Sequence, residues 1–571
     1  MSLYNIVEQG PAMTTALAPK KIWWKESVVY QVYPRSFKDS NGDGIGDLQG
    51  LISKLDYLKH LGIDVIWICP MFKSPMDDNG YDISDYQAIH EEFGSMADFD
   101  LLLKECHARG IRLILDLVVN HTSDEHPWFI ESRSSKDNKK RDWYIWRDGK
   151  DGKEPNNWES IFSGSAWKYD ELTKQWFMHI FSAKQPDLNW ENKDMRQAVY
   201  DMIRWWLDRG IDGFRIDAFS HTRKEPGLAD MPNPKNLEYV PSYSKHMNIP
   251  GVLDYVQDMA QNTFNHYDIM TVGEANGVNA QQAEEWVGES RKRMNMLIQF
   301  EHVGLWDTNP DQRFNMADLK RVFNNWQKGL ENIGWNALFV ENHDVPRINS
   351  KWGDNKNFWR ECSTSIATMY FLMQGTPFIY QGQEIGMTNS HFNGPEDFND
   401  VSAKNYFVMK RKEGRSDADI TAELNHTSRD NARTPMQWDS SANAGFTTGT
   451  PWLKTNPNFK QINVAAQMED PESILNYYRR LIRLRRQHEG LIYGSFDLVA
   501  ADNKDVFAYT RTLGSEKYLV VANMTRNEAR CDLGALVVQP ELLLLSNMTV
   551  TEHGVEHELK LRPFEARVYK I

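Results

Sequence analysis

Acidic side chains recur in this chain where short apolar runs stop. Leu113–Val119 contains Asp116 and leads into Asn120 and His121, and Gly213–Asp217 ends in Arg215-x-Asp217. Ile269–Glu274 ends in Glu274, and Ala337–Val340 is followed by Asn342, His343 and Asp344. Taken singly, each reads better as a solvated loop carboxylate or a helix N-cap than as a catalytic group. Four at corresponding places, two beside His and one beside Arg, point to one active site. Two opposed carboxylates plus a third are what glycoside hydrolysis needs: one attacks the anomeric carbon, another protonates the leaving oxygen, and the transition state is oxocarbenium-like. The attacking group has to stay ionised. Arg215 lies two residues from Asp217 on the same side of a strand and is expected to hold the Asp217 pKa down. The acid has to stay protonated near neutrality, and partial burial behind the run Ile269–Val272 is expected to raise Glu274.

Residues this far apart in sequence meet only if the intervening elements bring strand ends together. Eight apolar runs qualify as strands: Val28–Val32, Val65–Cys69, Leu113–Val119, Gly213–Asp217, Ile269–Glu274, Met296–Phe300, Ala337–Val340 and Pro377–Tyr380. Helical periodicity falls between most of them, at Leu48–Leu61, Ala97–Arg109 behind a Ser95 cap, Met195–Arg209 and Ala317–Leu330. The alternation predicts an α/β fold, a (β/α)8 TIM barrel over residues 21–121 and 188–490, in which all C-terminal strand ends share one face. A doubly wound sheet is the alternative. Residues 122–187 are rich in Trp, Lys, Asp and Gly, are too long for a plain loop, and read as a subdomain inserted after strand three. Residues 386–455, polar and rich in Asn and Asp, read as a second, irregular insertion. A helix over Ser473–His488 leads into residues 491–571, where Val506–Arg511, Tyr518–Ala522 and Ala566–Tyr569 alternate and predict a small antiparallel β-domain. Residues 1–20 form an extension that fits none of these patterns.

Composition narrows the function classes. Of 571 residues, 41% are hydrophobic and 25% charged, an ordinary globular mix. With 65 basic and 79 acidic residues the net charge is −14, so no basic footprint argues for nucleic acid or an anionic membrane. No apolar run is long enough to span a bilayer, and the first residues show no secretory signal. Cys69, Cys106, Cys362 and Cys531 lie far apart and read as reduced core thiols of a cytoplasmic protein. The 20 tryptophans would suit flat sugar faces, but the pairs at 23–24 and 205–206 read first as core and helix packing.

At the strand ends the sequence closely resembles glycoside hydrolase family 13, the α-amylase family, through DLVVNH (116–121), GFRIDAF (213–219), VGEAN (272–276) and ENHD (341–344). Its oligo-1,6-glucosidase and α-glucosidase branch is matched by WWKESVVYQVYPRSF (23–37), DDNGYDISDY (77–86), QPDLNW (185–190), IYQGQEIGMTN (379–389) and SRDNARTPMQWD (428–439). The resemblance implies Asp217 as nucleophile, Glu274 as acid/base and Asp344 as the third carboxylate. It also implies that Asp78, Tyr81, His121, Phe181, Arg215 and His343 line the subsite for the terminal glucose, with an arginine chosen as Arg429 over Arg433. It implies a β-sandwich for the last domain and a retaining double displacement removing one glucose at a time from non-reducing ends.

The run Asp39-Ser-Asn41-Gly-Asp43-Gly-Ile45-Gly-Asp47 alternates oxygen side chains like the first half of an EF-hand loop, but Gly50 stands where a bidentate Glu belongs. The resemblance implies a structural calcium or magnesium ion on Asp39, Asn41, Asp43, Asp47 and the Ile45 carbonyl, and no organic cofactor. A turn capped by Asp and Asn is the alternative to the ion, which is the favoured reading. The partner expected is a small oligosaccharide, the chain acting as a monomer or weak homo-oligomer. In the branch resembled, Val after the nucleophile goes with α-1,6 preference and Thr with α-1,4; here Ala218 is neither. Short α-1,6-linked gluco-oligosaccharides such as isomaltose and panose are the first choice, with α-1,4 bonds beside them. Sucrose isomerases share most motifs, but carry an Arg-Leu-Asp-Arg-Asp run where this chain has GLWDTNPDQ (304–312). Trehalose-6-phosphate hydrolases are a further neighbour, with no clear phosphate pocket here. A non-catalytic relative is disfavoured because all three carboxylates are present.

Overall fold

The structure, a computed structural model, describes residues 21–305, 315–551 and 554–571. The extension 1–20 and most of the segment 304–312 lie outside the described residues. The apolar runs form eight strands: β1 (Val29–Val32), β2 (Val65–Ile68), β3 (Arg112–Val118), β4 (Gly213–Asp217), β5 (Met270–Glu274), β6 (Met296–Ile298), β7 (Ala337–Leu338) and β8 (Thr376–Tyr380). Every position in them except Arg112 is buried. A parallel strand covered on both faces needs this continuous apolarity rather than alternation. The strands pair in the order β6-β5-β4-β3-β2-β1-β8-β7, all in parallel. A parallel bridge between Leu297 and Asn336 joins the two ends and closes the barrel.

That closing joint is thin. β7 is two residues long, and its partner β8 contributes Pro377, which has no N–H to give. Bonds beside the ladder support it: the Gln327 side-chain amide, from the helix Met316–Leu330, bonds both the carbonyl (2.9 Å) and the N–H (2.8 Å) of Gln374 just before β8, and the backbone N–H of Thr376 reaches the Asn336 carbonyl at 2.9 Å.

The outer helices begin where polar side chains satisfy their free amides. Ser95 and Asp98 exchange a capping box at the head of Met96–Ala108, Asn192 caps Lys193–Asp208, and Asn315 caps Met316–Leu330. The expected single helix over 48–61 is corrected to two, Leu48–Ile52 and Leu55–Leu61. The break is local: the Ser53 hydroxyl donates to the Gly50 carbonyl (2.6 Å), and the Lys54 N–H closes onto Leu51 (3.0 Å), a tight turn in place of a continued α-helix.

Within 122–187 a three-stranded antiparallel sheet forms from Trp146–Arg147, Trp167–Asp170 and Gln175–Met178. Its apolar cluster, built on Ile145, Trp158, Trp167, Met178 and Ile180, also takes in Leu228 from the loop after β4. That loop pairs Val240–Pro241 with Trp158–Glu159 and accepts a hydrogen bond from the Trp158 indole at Ala229 (2.9 Å), a docking that the sequence did not predict. The stretch 386–455 is not irregular throughout. It contains the helices Val401–Lys412 and Asp417–Thr427, capped by Asp400 and Ser416, over a small core of Phe392, Phe398, Phe407, Ile420 and Leu424. Each helix buries only two or three residues, so its apolar period is too sparse to read. The last domain has a five-stranded antiparallel sheet and a two-stranded one, with Val506, Leu519 and Val521 packed against Cys531, Leu559 and Leu561 between them. Among the described residues no helix is long and apolar enough to cross a membrane.

Candidate active site

Register builds the centre. Arg215 on β4 pairs laterally with Asp116 on β3, and Ile216 with Gly273 on β5, so Asp116, Arg215, Asp217 and Glu274 gather at one end of adjacent strands. Arg215 is fully buried. Its Nη1 donates to Asp116 (2.9 Å) and to Asp217, and its Nη2 to Glu274. The guanidinium lies 5.1 Å from the centre of the Trp67 ring, whose N–H donates to Asp116 at 3.1 Å, as does the Tyr81 hydroxyl at 3.0 Å.

Three carboxylates share this one cation, so full ionisation would leave buried negative charge uncompensated. Burial pushes Asp116 up to about 6 against the pull of Arg215. Burial also pushes Asp217 well above the ordinary carboxylate range; Arg215 opposes this, while the charges of Glu274 and Asp116 add to it. Arg215 does pull Asp217 down, as expected, but burial and the two neighbouring carboxylates outweigh that pull. That expectation assigned the guanidinium to one carboxylate, and the structure divides it among three.

Asp78, Tyr81, His121, Phe181, Asp217, Glu274, His343, Asp344 and Arg429 together line a cavity of about 320 Å³. Arg215 stands behind its wall. Asp344 accepts from Arg429 and Arg433, each at 3.1 Å, and lies 3.2 Å from His343. Burial works against its charge, but His343, Arg429 and Arg433 outweigh that and hold its carboxyl well below the usual range. Arg429 also donates to Asp78 (3.2 Å) and Asp400 (3.1 Å), and burial leaves Asp78 raised to about 6 despite both arginines. Arg433 does not reach the cavity; its Nε donates to the His343 carbonyl at 3.0 Å.

Burial pushes His121 and His343 down to about 3, so both are neutral near pH 7. Their nitrogens are engaged by protein groups. His343 meets Gln31 at 2.7 Å and the Tyr81 hydroxyl at 2.6 Å, and His121 meets the Tyr81 carbonyl and Gln185, each at 3.1 Å. Tyr81 and His343 stack with ring centres 5.3 Å apart.

Sequence reasoning left out several lining residues: Ile161 and Phe162 of the insertion, His221, Tyr243 and Met247 after β4, then Asn276, Phe300 and Ser402. His221 and Asn276 adjoin the strand-end motifs and were within reach. Tyr243 and Met247 sit in a loop without periodic pattern and gave no signal. Among the described residues no tryptophan lines the cavity.

In the loop 39–47 the Asp39 carboxylate accepts from the amides of Asn41 (2.8 Å), Gly42 (2.7 Å) and Gly44 (2.9 Å) and from the Thr447 hydroxyl. Asn41 and Asp43 each accept from the amide two residues on, at 2.8 Å, and Asp47 caps Gly50 at 2.6 Å. Among the described residues no three His, Cys, Asp or Glu groups are gathered to hold an ion. The donors themselves are all oxygens, the set that a hard divalent cation takes.

The alpha amylase catalytic domain family matches residues 31–494, and the maltogenic amylase C-terminal domain family matches residues 496–568. The chain is similar to the probable oligo-1,6-glucosidase 3 of Bacillus subtilis (strain 168), with 53% identity over 550 residues, 96% of this chain and 99% of that protein. It is similar to the oligo-1,6-glucosidase of Parageobacillus thermoglucosidasius, with 52% identity over 561 residues, 97% and 99% of the two chains. Among solved structures it resembles a mutant isomaltulose synthase from Erwinia rhapontici NX5 in complex with D-glucose, with a TM-score of 0.92 and 44% identity, covering 97% of this chain and 100% of that one. With its closed parallel barrel, its carboxylates at the strand ends and a family match across most of its length, the chain belongs to the α-amylase family, glycoside hydrolase family 13.

Proposed function

We propose that this chain is a retaining, exo-acting α-glucosidase that releases glucose from the non-reducing ends of short α-1,6-linked gluco-oligosaccharides such as isomaltose and panose, with α-1,4 bonds as a second class. One observation carries the reading: a single buried guanidinium holds Asp217 and Glu274 on its two terminal nitrogens at the edge of the cavity. Two carboxylates held so close suit a retaining mechanism, where their separation is about 5–5.5 Å, rather than an inverting one with a water between. Asp217 attacks the anomeric carbon as Glu274 gives its proton to the departing oxygen. Glu274 then takes a proton from water, whose oxygen displaces Asp217. The pair needs one proton between its members, and three carboxylates around one cation favour keeping it.

Asp344, held ionised by its two arginines, grips the hydroxyls of the terminal glucose together with Asp78, Tyr81, His121, Phe181, His343 and Arg429. The names of the oligo-1,6-glucosidase relatives support the α-1,6 preference. Asp217→Asn and Glu274→Gln should each lower turnover of isomaltose at least about a thousandfold while melting as the wild type does. Retained turnover in either variant overturns the assignment. A large preference for maltose over isomaltose overturns the linkage. The likeness to an isomaltulose synthase gives sucrose isomerisation as the second reading; isomaltulose formed from sucrose would favour it over hydrolysis.

The same proposal places a structural Ca2+, or Mg2+ in its stead, on Asp39, Asn41, Asp43, Asp47 and the Ile45 carbonyl. The ion would neutralise the loop's carboxylates and pin it against the Thr447 segment. An unchanged melting temperature after exhaustive chelation counts against it. Cytoplasmic residence is supported by four buried, unpaired cysteines, and cell fractionation tests it.

A further inference from the structure

Two insertions, far apart in sequence, meet at the cavity. From the subdomain after β3, the tip 160–164 places Ile161 and Phe162 on its wall. From the segment after β8, the helix Val401–Lys412 places Ser402 there. In the second turn of that helix the Asn405 side-chain amide donates to the Phe162 carbonyl at 2.9 Å. Among the described residues it is the one hydrogen bond between the two insertions.

The two sides are held with different firmness. The helix is a fixed post: buried Asp400 accepts from the Ser402 amide at 3.2 Å and from Arg429 Nε at 3.1 Å, which ties the first turn to an arginine of the cavity wall. The tip is a narrow turn in which Ser163 (φ 70°) and Gly164 (φ 82°) are both left-handed. Nothing would stand within 4 Å of a Cβ on Gly164, so no neighbour braces the turn from outside. Ser160 holds Phe162 from its own side, accepting the Phe162 N–H at 3.1 Å and donating to the Phe181 carbonyl at 2.7 Å. The Phe162 ring then has its centre 5.0 Å from the Arg429 guanidinium and 5.7 Å from the centre of the Phe181 ring, which lies 5.1 Å from that of His121.

We infer that Asn405 is a positioning residue that clasps the tip at the Phe162 carbonyl, keeps the Phe162 ring against the terminal glucose, and so sets how tightly that glucose is held. The inference rests on the proposed function, in which the cavity takes the terminal glucose. Asn405 does not line the cavity, and among the described residues it bonds neither Asp217 nor Glu274. Its effect therefore falls on binding rather than on bond breaking, and acts through Phe162. Glucose released by hydrolysis occupies the same seat, so product and substrate share the hold. The clasp joins residues 243 positions apart through a single neutral hydrogen bond. Such a bond biases the closed position without locking it.

The test separates KM from kcat. Asn405→Leu keeps the branching of the side chain and removes the donor. KM for isomaltose and for p-nitrophenyl α-glucoside should rise together by about two- to tenfold, the worth of one neutral hydrogen bond, while kcat does not fall. The inhibition constant of glucose should rise by the same factor. In a Phe162→Leu background, Asn405→Leu should add less than about twofold, because the ring it positions is gone. Unchanged KM and glucose inhibition constants, a loss confined to isomaltose, a fall in kcat at constant KM, or full additivity with Phe162→Leu overturns the assignment. Should the leucine variant melt well below wild type, Asn405→Asp carries the test: it sets a carboxylate against the carbonyl, and unchanged constants refute the clasp. Wild-type protein inactive on both substrates, or active Glu274→Gln, would instead defeat the proposed function itself, whereas unchanged constants beside an active wild type defeat the clasp alone.

Discussion

Replacing Arg215 with lysine keeps the charge and removes the fork. The guanidinium reaches Asp116 and Asp217 from one nitrogen and Glu274 from another, whereas one ammonium cannot stand at both places. One charge-assisted contact is lost if the ammonium takes the place of Nη1 and two if it takes that of Nη2, at about 1.5–3 kcal/mol each, or about 1.5–6 kcal/mol in all. If that falls on the transition state, kcat/KM drops about 10- to 10⁴-fold. Stability should fall by less than the about 3–5 kcal/mol expected when one partner of a buried ion pair is removed outright, because some charge balance remains. The assay is kcat/KM on p-nitrophenyl α-glucoside together with urea unfolding of the same sample. A lysine variant within tenfold of wild type would show that the fork does not hold the pair. A variant that loses stability and activity in proportion would show that Arg215 serves the fold alone.

Other outcomes follow from the same charges and contacts. Asp116 raises Asp217 by charge repulsion, so Asp116→Asn should move the acid limb of the kcat/KM profile to lower pH; a shift upward contradicts the shared-cation account. Burial holds His121, His126, His221, His302 and His343 down near 3, against about 6.5 in an unfolded chain. Unfolding therefore takes up protons below about pH 6.5, and stability should fall as pH drops from there toward 3, by up to about 1.4 kcal/mol per pH unit for each histidine. A melting temperature flat between pH 7 and 5 refutes this. A Cβ on Gly213, at φ 142°, would stand 1.9 Å from the Met270 carbonyl. Gly213→Ala should force β4 and β5 apart and cost about 3 kcal/mol or more, measured as a shift in the urea midpoint.

The eight strands were readable because each is a buried parallel strand, and burial on both faces leaves a continuous apolar run bounded by polar residues. The same logic located Asp217, Glu274 and Asp344, since strand ends in a barrel converge whatever lies between them. The helical pair in 386–455 was not readable, because Ala403, Phe407, Ile420 and Leu424 are too few to mark a period. Asp217 was misjudged electrostatically for a related reason. Spacing on β4 puts Arg215 beside it, but only the lateral register brings Asp116 and Glu274 to the same guanidinium. Asn405 was out of reach altogether: it comes to Phe162 from a different insertion, and no local pattern encodes such a meeting.

The thin joint of the barrel has a mechanical consequence. Asp116, Arg215, Asp217 and Glu274 hang from β3, β4 and β5, which share long ladders. Asp344 follows β7, which meets β6 through one bridge and β8 through two residue pairs. Thermal breathing of the ring should concentrate at that joint, as the fastest amide exchange among the barrel strands. Such motion loosens the hold on the glucose while the proton-transfer pair stays braced. Escape of the product and the first step of heat inactivation would then share one seam, and a mutation that tightens it should make the protein hardier and slower together.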